Sequence, residues 1–282
     1  MTPARRRAKT TKATGGTITI DSIIRIHSQF NDNDKPFSIL DLCDPKTPRY
    51  VLMEENNWQL VDQCPINFYR PSNLLPLPTP EYPGDLELLK TLIKVDEQDF
   101  EKIKFWLTYA VYPYFILHWY RKAILIINGE ATKQKMLIMK VLKNLIDPCN
   151  LFEDRFPFKE EQLIKDCEDN YILTYTIPNK ISLQKTAAYL FPYVATGTIE
   201  CVMADVYYRP KLTIVNLACY RPIIVVNNNE SLKRPLFHDY EFHINVKESN
   251  DNESEEEVLR KLEDLKPKIL GGLLSWAASI IR

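Results

Sequence analysis

A chain of 282 residues with only 7 glycines has few places where its backbone can turn left-handed or lie against another group. Ordinary usage would supply about 20. Glycine alone adopts such conformations without steric cost. Gly15 and Gly16 lie near the start and Gly271 and Gly272 near the end, which leaves Gly84, Gly129 and Gly197 for the middle. A dinucleotide fingerprint of the G-x-G-x-x-G type and an intact Walker A loop are both excluded. So are a Gly-rich linker, a collagen repeat and a Gly-dense blade repeat.

Apolar residues make up 45% of the chain and charged residues 26%, enough material for a soluble globular core. The length fits one large domain or two small ones. A net charge of -1 gives no whole-molecule attraction to nucleic acid, so any such contact needs a local basic patch. The six cysteines are scattered without a C-x-x-C pair, and read as reduced core thiols of a cytoplasmic protein. His238 and His243 stand five residues apart, a poor ligand spacing, and no metal is expected. The longest uncharged run, Phe105 to Tyr120, contains Pro113 and His118 and is too short to span a bilayer. The basic start lacks the apolar stretch of a signal peptide, and no membrane partner is expected.

Residues 1–16 read as a basic, disordered tail carrying Arg5, Arg6 and Arg7, expected to be either a solvated segment or an arm that touches phosphates. Residues 17–84 read as a small α+β module: strands at Thr17–Ile20, Phe37–Leu40 and Tyr50–Met53, and a short helix within Ser22 to Phe30. Five prolines between residues 71 and 84 mark a boundary. Helices are expected after Asp85 and from Asp96 or Asp99 to Tyr112. Residues 85–282 then follow α/β grammar. Ala123–Asn128, Tyr171–Tyr175 and Pro222–Asn227 are apolar runs suited to strands covered on both faces. Lys133–Ile146 is helical and stops at Asp147-Pro148, and a Leu stripe from Val258 runs past Pro267 to Ala277. Together these predict a mainly parallel sheet. Between Cys201 and Tyr220, the pattern Val202, Ala204, Val206 and then Leu212, Ile214, Val215 suggests a hairpin turning at Arg209-Pro210-Lys211. Trp106, Tyr109, Tyr112, Tyr114, Phe115, Trp119 and Tyr120 crowd one segment, either as core or as a stacking platform.

An apolar strand, a loop opening on glycine and a lysine-bearing helix make P-loop architecture. The loop reads Gly129-Glu130-Ala131-Thr132-Lys133-Gln134-Lys135-Met136. Against G-x-x-x-x-G-K-[ST], Gly129 and Lys135 match, while Gln134 replaces the second glycine and Met136 the hydroxyl. Gln134 adds a side chain where backbone N–H groups would curl around phosphate. Met136 offers a thioether where Mg²⁺ takes oxygen.

From about Phe37 onward the chain resembles the ATPase region of phage and integrative-element replication proteins, primase-associated helicase-like P-loop ATPases. Their loop runs G-E-x-G-[ST]-G-K-[ST], so Glu130 is a further match. The resemblance extends through Asn57-Trp58-Gln59-Leu60-Val61, Leu75-Pro76-Leu77-Pro78, Asp147-Pro148, Ala195-Thr196-Gly197, Arg221-Pro222-Ile223-Ile224 and Pro267-Lys268-Ile269-Leu270-Gly271. It implies an α/β P-loop fold of the AAA+/superfamily III helicase-like kind, with the α+β N-terminal module and a helical C-terminal end.

The resemblance also implies a nucleotide site at Gly129, Glu130, Lys133, Lys135 and the sensor-like Asn227, here vestigial. The Walker B acid is missing, since the second strand ends at Tyr175-Thr176. Related ATPases carry a DNA-touching hairpin before the sensor strand, which makes Tyr207, Tyr208, Arg209 and Lys211 contact candidates, or an ordinary surface hairpin. The expectation is a degenerate ATPase that uses no cofactor, with ATP and Mg²⁺ as the alternative. It would act in viral or mobile-element DNA replication by binding DNA, or by assembling with itself or a partner ATPase. Two rival readings are an active NTPase with displaced acids such as Glu130, and a protein-binding regulator of a replicase.

Overall fold

The three apolar runs lie side by side in one sheet. The computed structural model describes residues 18–20, 23–113, 123–150, 152, 156, 160–177, 202–204, 210–212, 215–217, 221–228, 241–248 and 253–280. Strands β6 (Ile124–Asn128), β7 (Leu173–Ile177), β11 (Ile223–Asn227) and β12 (Glu241–Asn245) form a parallel sheet in the order β12-β6-β11-β7. Every residue of β11 is buried. Helix α3 (Thr132–Ile146) follows β6 and packs on β6 and β11, while α2 (Glu97–Val111) covers β12. Helix α1 is Leu88–Ile93 and α4 is Glu160–Asp169. Strand β7 lies two residues later than expected, because Asp147 binds the backbone N–H groups of Tyr171 and Ile172 before the strand begins.

The second sheet is antiparallel, a meander of β2 (Ile26–Phe30), β3 (Pro36–Asp41), β4 (Tyr50–Glu54) and β5 (Asn57–Val61). The helix expected over Ser22–Phe30 is not formed; that segment ends in β2, and the described residues between 23 and 84 hold no helix. Arg25 sits at φ 63°, which a right-handed helix forbids. Asn31 then accepts N–H bonds from Asn33 and Lys35, closing a turn that pairs β2 with β3.

Helix α5 (Glu255–Ile280) is one unbroken helix through Pro267. It packs against α1, α2, α3 and the edge of the meander, where Trp58 Nε1 donates to Ser275 Oγ at 3.0 Å. Its start is a capping box: Glu257 Oε2 accepts from Ser254 N at 2.9 Å and Ser254 Oγ from Glu257 N at 3.2 Å. Ser254→Ala is expected to cost about 1 kcal/mol, read as a lowered urea midpoint with unchanged slope. The prolines of residues 71–84 belong to a strip fastened along its length: Leu75 N donates to Pro148 O, Leu77 N to Leu42 O and Glu81 N to Pro267 O. The apolar core is continuous from Ile24 to Ala278. Trp106, Tyr109 and Tyr112 are part of the buried interior, whereas Tyr114, Phe115, Trp119 and Tyr120 lie outside the described residues. No described helix is long and apolar enough to cross a membrane.

A short parallel pair joins the first strand to one nearly 200 residues later. β1 (Ile18–Ile20) lies along β10 (Val215–Leu217), and β8 (Val202–Ala204) pairs antiparallel with β9 (Pro210–Leu212).

Candidate functional site at the carboxyl edge of the parallel sheet

In an open parallel sheet, ligand chemistry gathers outside the carboxyl ends of the strands. Three of these strands end in asparagine: Asn128 on β6, Asn227 on β11 and Asn245 on β12. The amides of Asn227 and Asn128 begin a continuous line that runs on to β12. Asn227 Nδ2 donates to Asn128 Oδ1 at 2.9 Å, and Asn128 Nδ2 lies 3.1 Å from His243 Nδ1. His243 Nε2 reaches Glu241 Oε1 at 2.7 Å. Asn128 as donor fixes His243 as the tautomer protonated on Nε2, so both ring nitrogens are engaged. From α2, Asp99 accepts from Asn245 N and Lys102 donates to His243 O, which closes the outer edge of β12.

The segment from Gly129 to Met136 leads from β6 into α3, and Gly129, Gln134, Lys135 and Met136 each have a definite role in the packing. Gly129 has φ +115°, and a Cβ there would stand 2.0 Å from Val246 O. The chain leaving β12 crosses at that point, with Val246 N donating to Asn128 O at 2.8 Å. Glycine is therefore required here by a backbone crossing. Gln134 turns its amide to Ile93 O at 3.1 Å, tying α3 to the end of α1. Met136 accepts a hydrogen bond from Thr176 Oγ1 at 3.6 Å and packs on the core. Lys135 is 2% exposed, and its Nζ donates to Asn227 O at 2.8 Å. Glu130 and Lys133 are exposed.

Lys135 and Asn227 are thus brought into contact, Gly129 lies against Val246, and Glu130 and Lys133 face solvent. The end of β7 carries Thr176 and Ile177, so no acid stands there. Asp166 on α4 instead accepts from the Tyr175 hydroxyl at 2.9 Å. Lys211 lies within β9, paired with Met203, and Pro210 pairs with Ala204, so neither forms the turn. Arg5, Arg6, Arg7, Tyr207, Tyr208 and Arg209 lie outside the described residues. Among the described residues no group of His, Cys, Asp and Glu has the makings of a metal site.

Asn128, His243 and Glu241 were not legible as site residues. The available signal was that two of the three predicted strands end in asparagine. The line they form requires β12 beside β6, and nothing local in the sequence states that.

No family model matches the chain, and no curated protein matches it. Among solved structures, it is similar to the A form apo structure of the NrS-1 C-terminal region, with a TM-score of 0.39 and 11% identity over 83% of this chain and 65% of that one. A second apo structure of the NrS-1 C-terminal region gives a TM-score of 0.41 and 15% identity, over 82% of this chain and 66% of that one. The chain spans slightly less than two thirds of those chains.

Proposed function

We propose that this protein is a P-loop-like domain that has given up nucleotide hydrolysis and serves DNA replication by binding and assembly. The observation that carries the reading is Lys135. In a working site this ammonium is kept for phosphate; here it is buried and donates to the Asn227 carbonyl at 2.8 Å. Its neighbours support the same reading. Gln134 holds Ile93 O, Met136 takes the Thr176 hydroxyl, and Gly129 accommodates Val246. The side chains that would grip phosphate and Mg²⁺ are instead part of the packing between α3, α1 and the sheet. The resemblance to primase-associated helicase-like ATPases supplies the replication setting.

The test is Mg²⁺–ATP binding and turnover on the full chain, with Lys135→Ala beside it. The expected result is no Lys135-dependent hydrolysis, together with a loss of about 2 kcal/mol of stability in the variant, the worth of a buried charge-assisted hydrogen bond. Turnover that vanishes in Lys135→Ala at unchanged stability overturns the proposal and favours an active NTPase.

A further inference from the structure

The line of side chains across the carboxyl edge has a direction. Asn227 Nδ2 donates to Asn128 Oδ1 at 2.9 Å, Asn128 Nδ2 to His243 Nδ1 at 3.1 Å, and His243 Nε2 to Glu241 Oε1 at 2.7 Å. Every bond points the same way, from β11 through β6 to β12. The ends of the line differ in access to water. The His243 side chain is 42% exposed, whereas Asn227 is 7% exposed. Asn227 also holds the Lys135 ammonium on its main-chain oxygen.

The middle of the line is built from groups that respond differently to a proton. Histidine is the side chain whose charge ordinarily changes nearest neutral pH. Since Nε2 carries the hydrogen given to Glu241, a proton taken from water goes to Nδ1. The imidazolium then has donors on both nitrogens, and Nδ1–H meets the Asn128 NH2 group, donor against donor. A half turn of the Asn128 amide exchanges its oxygen and nitrogen and restores that bond. The same turn sets the Asn128 NH2 group against the Asn227 NH2 group. A half turn of Asn227 restores the second bond. One proton reverses two links, because the two ends of a carboxamide are alike in shape and opposite in hydrogen-bonding sense.

The surroundings define the charges that His243 meets. On its own strand the Glu241 side chain, 2% exposed, stands at Nε2 as counter-charge. From α2, Lys102 donates to the His243 main-chain oxygen and to Asp99 Oδ1, while Asp99 Oδ2 accepts from Asn245 N, so α2 presents one cation and one anion. Strand β6 brings Asn128 and no titratable group. Glu130, Lys247 and Glu248 are exposed beyond the ends of the two strands. Asn128 Nδ2 also approaches Ile244 O at 3.4 Å, a long contact that the present amide orientation alone can make.

We infer that His243, Asn128 and Asn227 form a proton-driven relay, in which the charge of a half-exposed imidazole sets the orientation of two amides and reaches the residue that holds Lys135. The neutral ring keeps all donors running toward Glu241. The imidazolium reverses both amide links, keeps the bond to Glu241 and gives up the contact to Ile244 O. The relay goes beyond the loss of hydrolysis proposed above and does not depend on it.

The test is NMR of the full chain with isotope-labelled asparagine and histidine, titrated from about pH 8 to about pH 5. The ring signals give the midpoint of His243. The side-chain NH2 signals of Asn128 and Asn227 are expected to shift with that same midpoint. In Asn128→Leu the ring still titrates, and the Asn227 NH2 shift is expected to be lost. In His243→Gln, which cannot take up a proton, both amides are expected to stay flat. Asn227 signals that stand still while His243 titrates in the wild type overturn the relay, with the ring taking its proton by turning out to water. A shift of Asn227 that persists in either variant overturns it too, since the signal then bypasses the line. The wild-type comparison decides by itself where a variant fails to fold.

Discussion

Replacing Asp147 with alanine is expected to remove about 3–5 kcal/mol of stability, because this carboxylate closes α3 and joins both sheets. It is 1% exposed. One oxygen accepts from Lys143 Nζ at 3.1 Å and from the backbone N–H groups of Tyr171 and Ile172 at 3.0 and 2.9 Å. The other faces Arg25 Nε at 3.6 Å, a Coulombic contact too long for a hydrogen bond. Arg25 in turn donates to Asp41 O and Leu75 O, which ties the meander and the proline strip to the same point. Without Asp147, two buried cations lose their counter-charge and two amides lose their acceptor. Asp147→Asn, which keeps an acceptor oxygen, is expected to cost less. Urea denaturation followed by tryptophan fluorescence measures both.

The same group gives the protein an acid limit. Burial alone would raise the Asp147 carboxyl, but Lys143, Arg25 and the Ile172 N–H outweigh it and hold it below the ordinary 3.8. A depressed carboxyl contributes its stability above the unfolded value and loses it as pH falls through the folded one. Wild-type stability should therefore drop below about pH 4, and Asp147→Asn should flatten that drop. An acid profile identical in the two proteins would show that Asp147 is not the group responsible.

The parallel sheet was legible because strands covered on both faces must be apolar throughout, and the runs ending at Asn128 and Asn227 are. Strand β12 was not, since Glu241-Phe242-His243-Ile244-Asn245 alternates, as an edge strand flanked by α2 can. Ser22–Phe30 misled because its isoleucines satisfy a helical stripe, while Arg25 takes its left-handed turn in order to reach Leu75 and Asp41. At the site, the departures at Gln134 and Met136 were visible as mismatches to a pattern. Their present partners, Ile93 and Thr176, are set by tertiary packing and had no local signal.

Glycine scarcity gives the last prediction its sign. Alanine for glycine inside a helix ordinarily gains about 0.5–1 kcal/mol. At Gly271 of α5 the substitution should instead cost about 3 kcal/mol. A Cβ there would lie 1.8 Å from Glu81 O, and one at Gly272 would lie 2.3 Å from Leu86 N. Gly84 faces them, its own Cβ position 2.0 Å from Gly272 N. Three of the chain's 7 glycines therefore meet in one backbone crossing. Pro267 and Lys268, one helical turn before the pair, lend their carbonyls to Glu81 N and Asp85 N, each at 2.9 Å. The contact is backbone on backbone, so no rotamer change relieves an added methyl; either the strip lifts or α5 shifts. Because Trp58 donates to Ser275 one turn further along α5, a shift of the helix also disturbs the meander. Gly271→Ala should thus lower the urea midpoint and move tryptophan fluorescence together. A gain in stability would mean that the strip does not press on α5 in solution, and that the glycine pair is there for another reason.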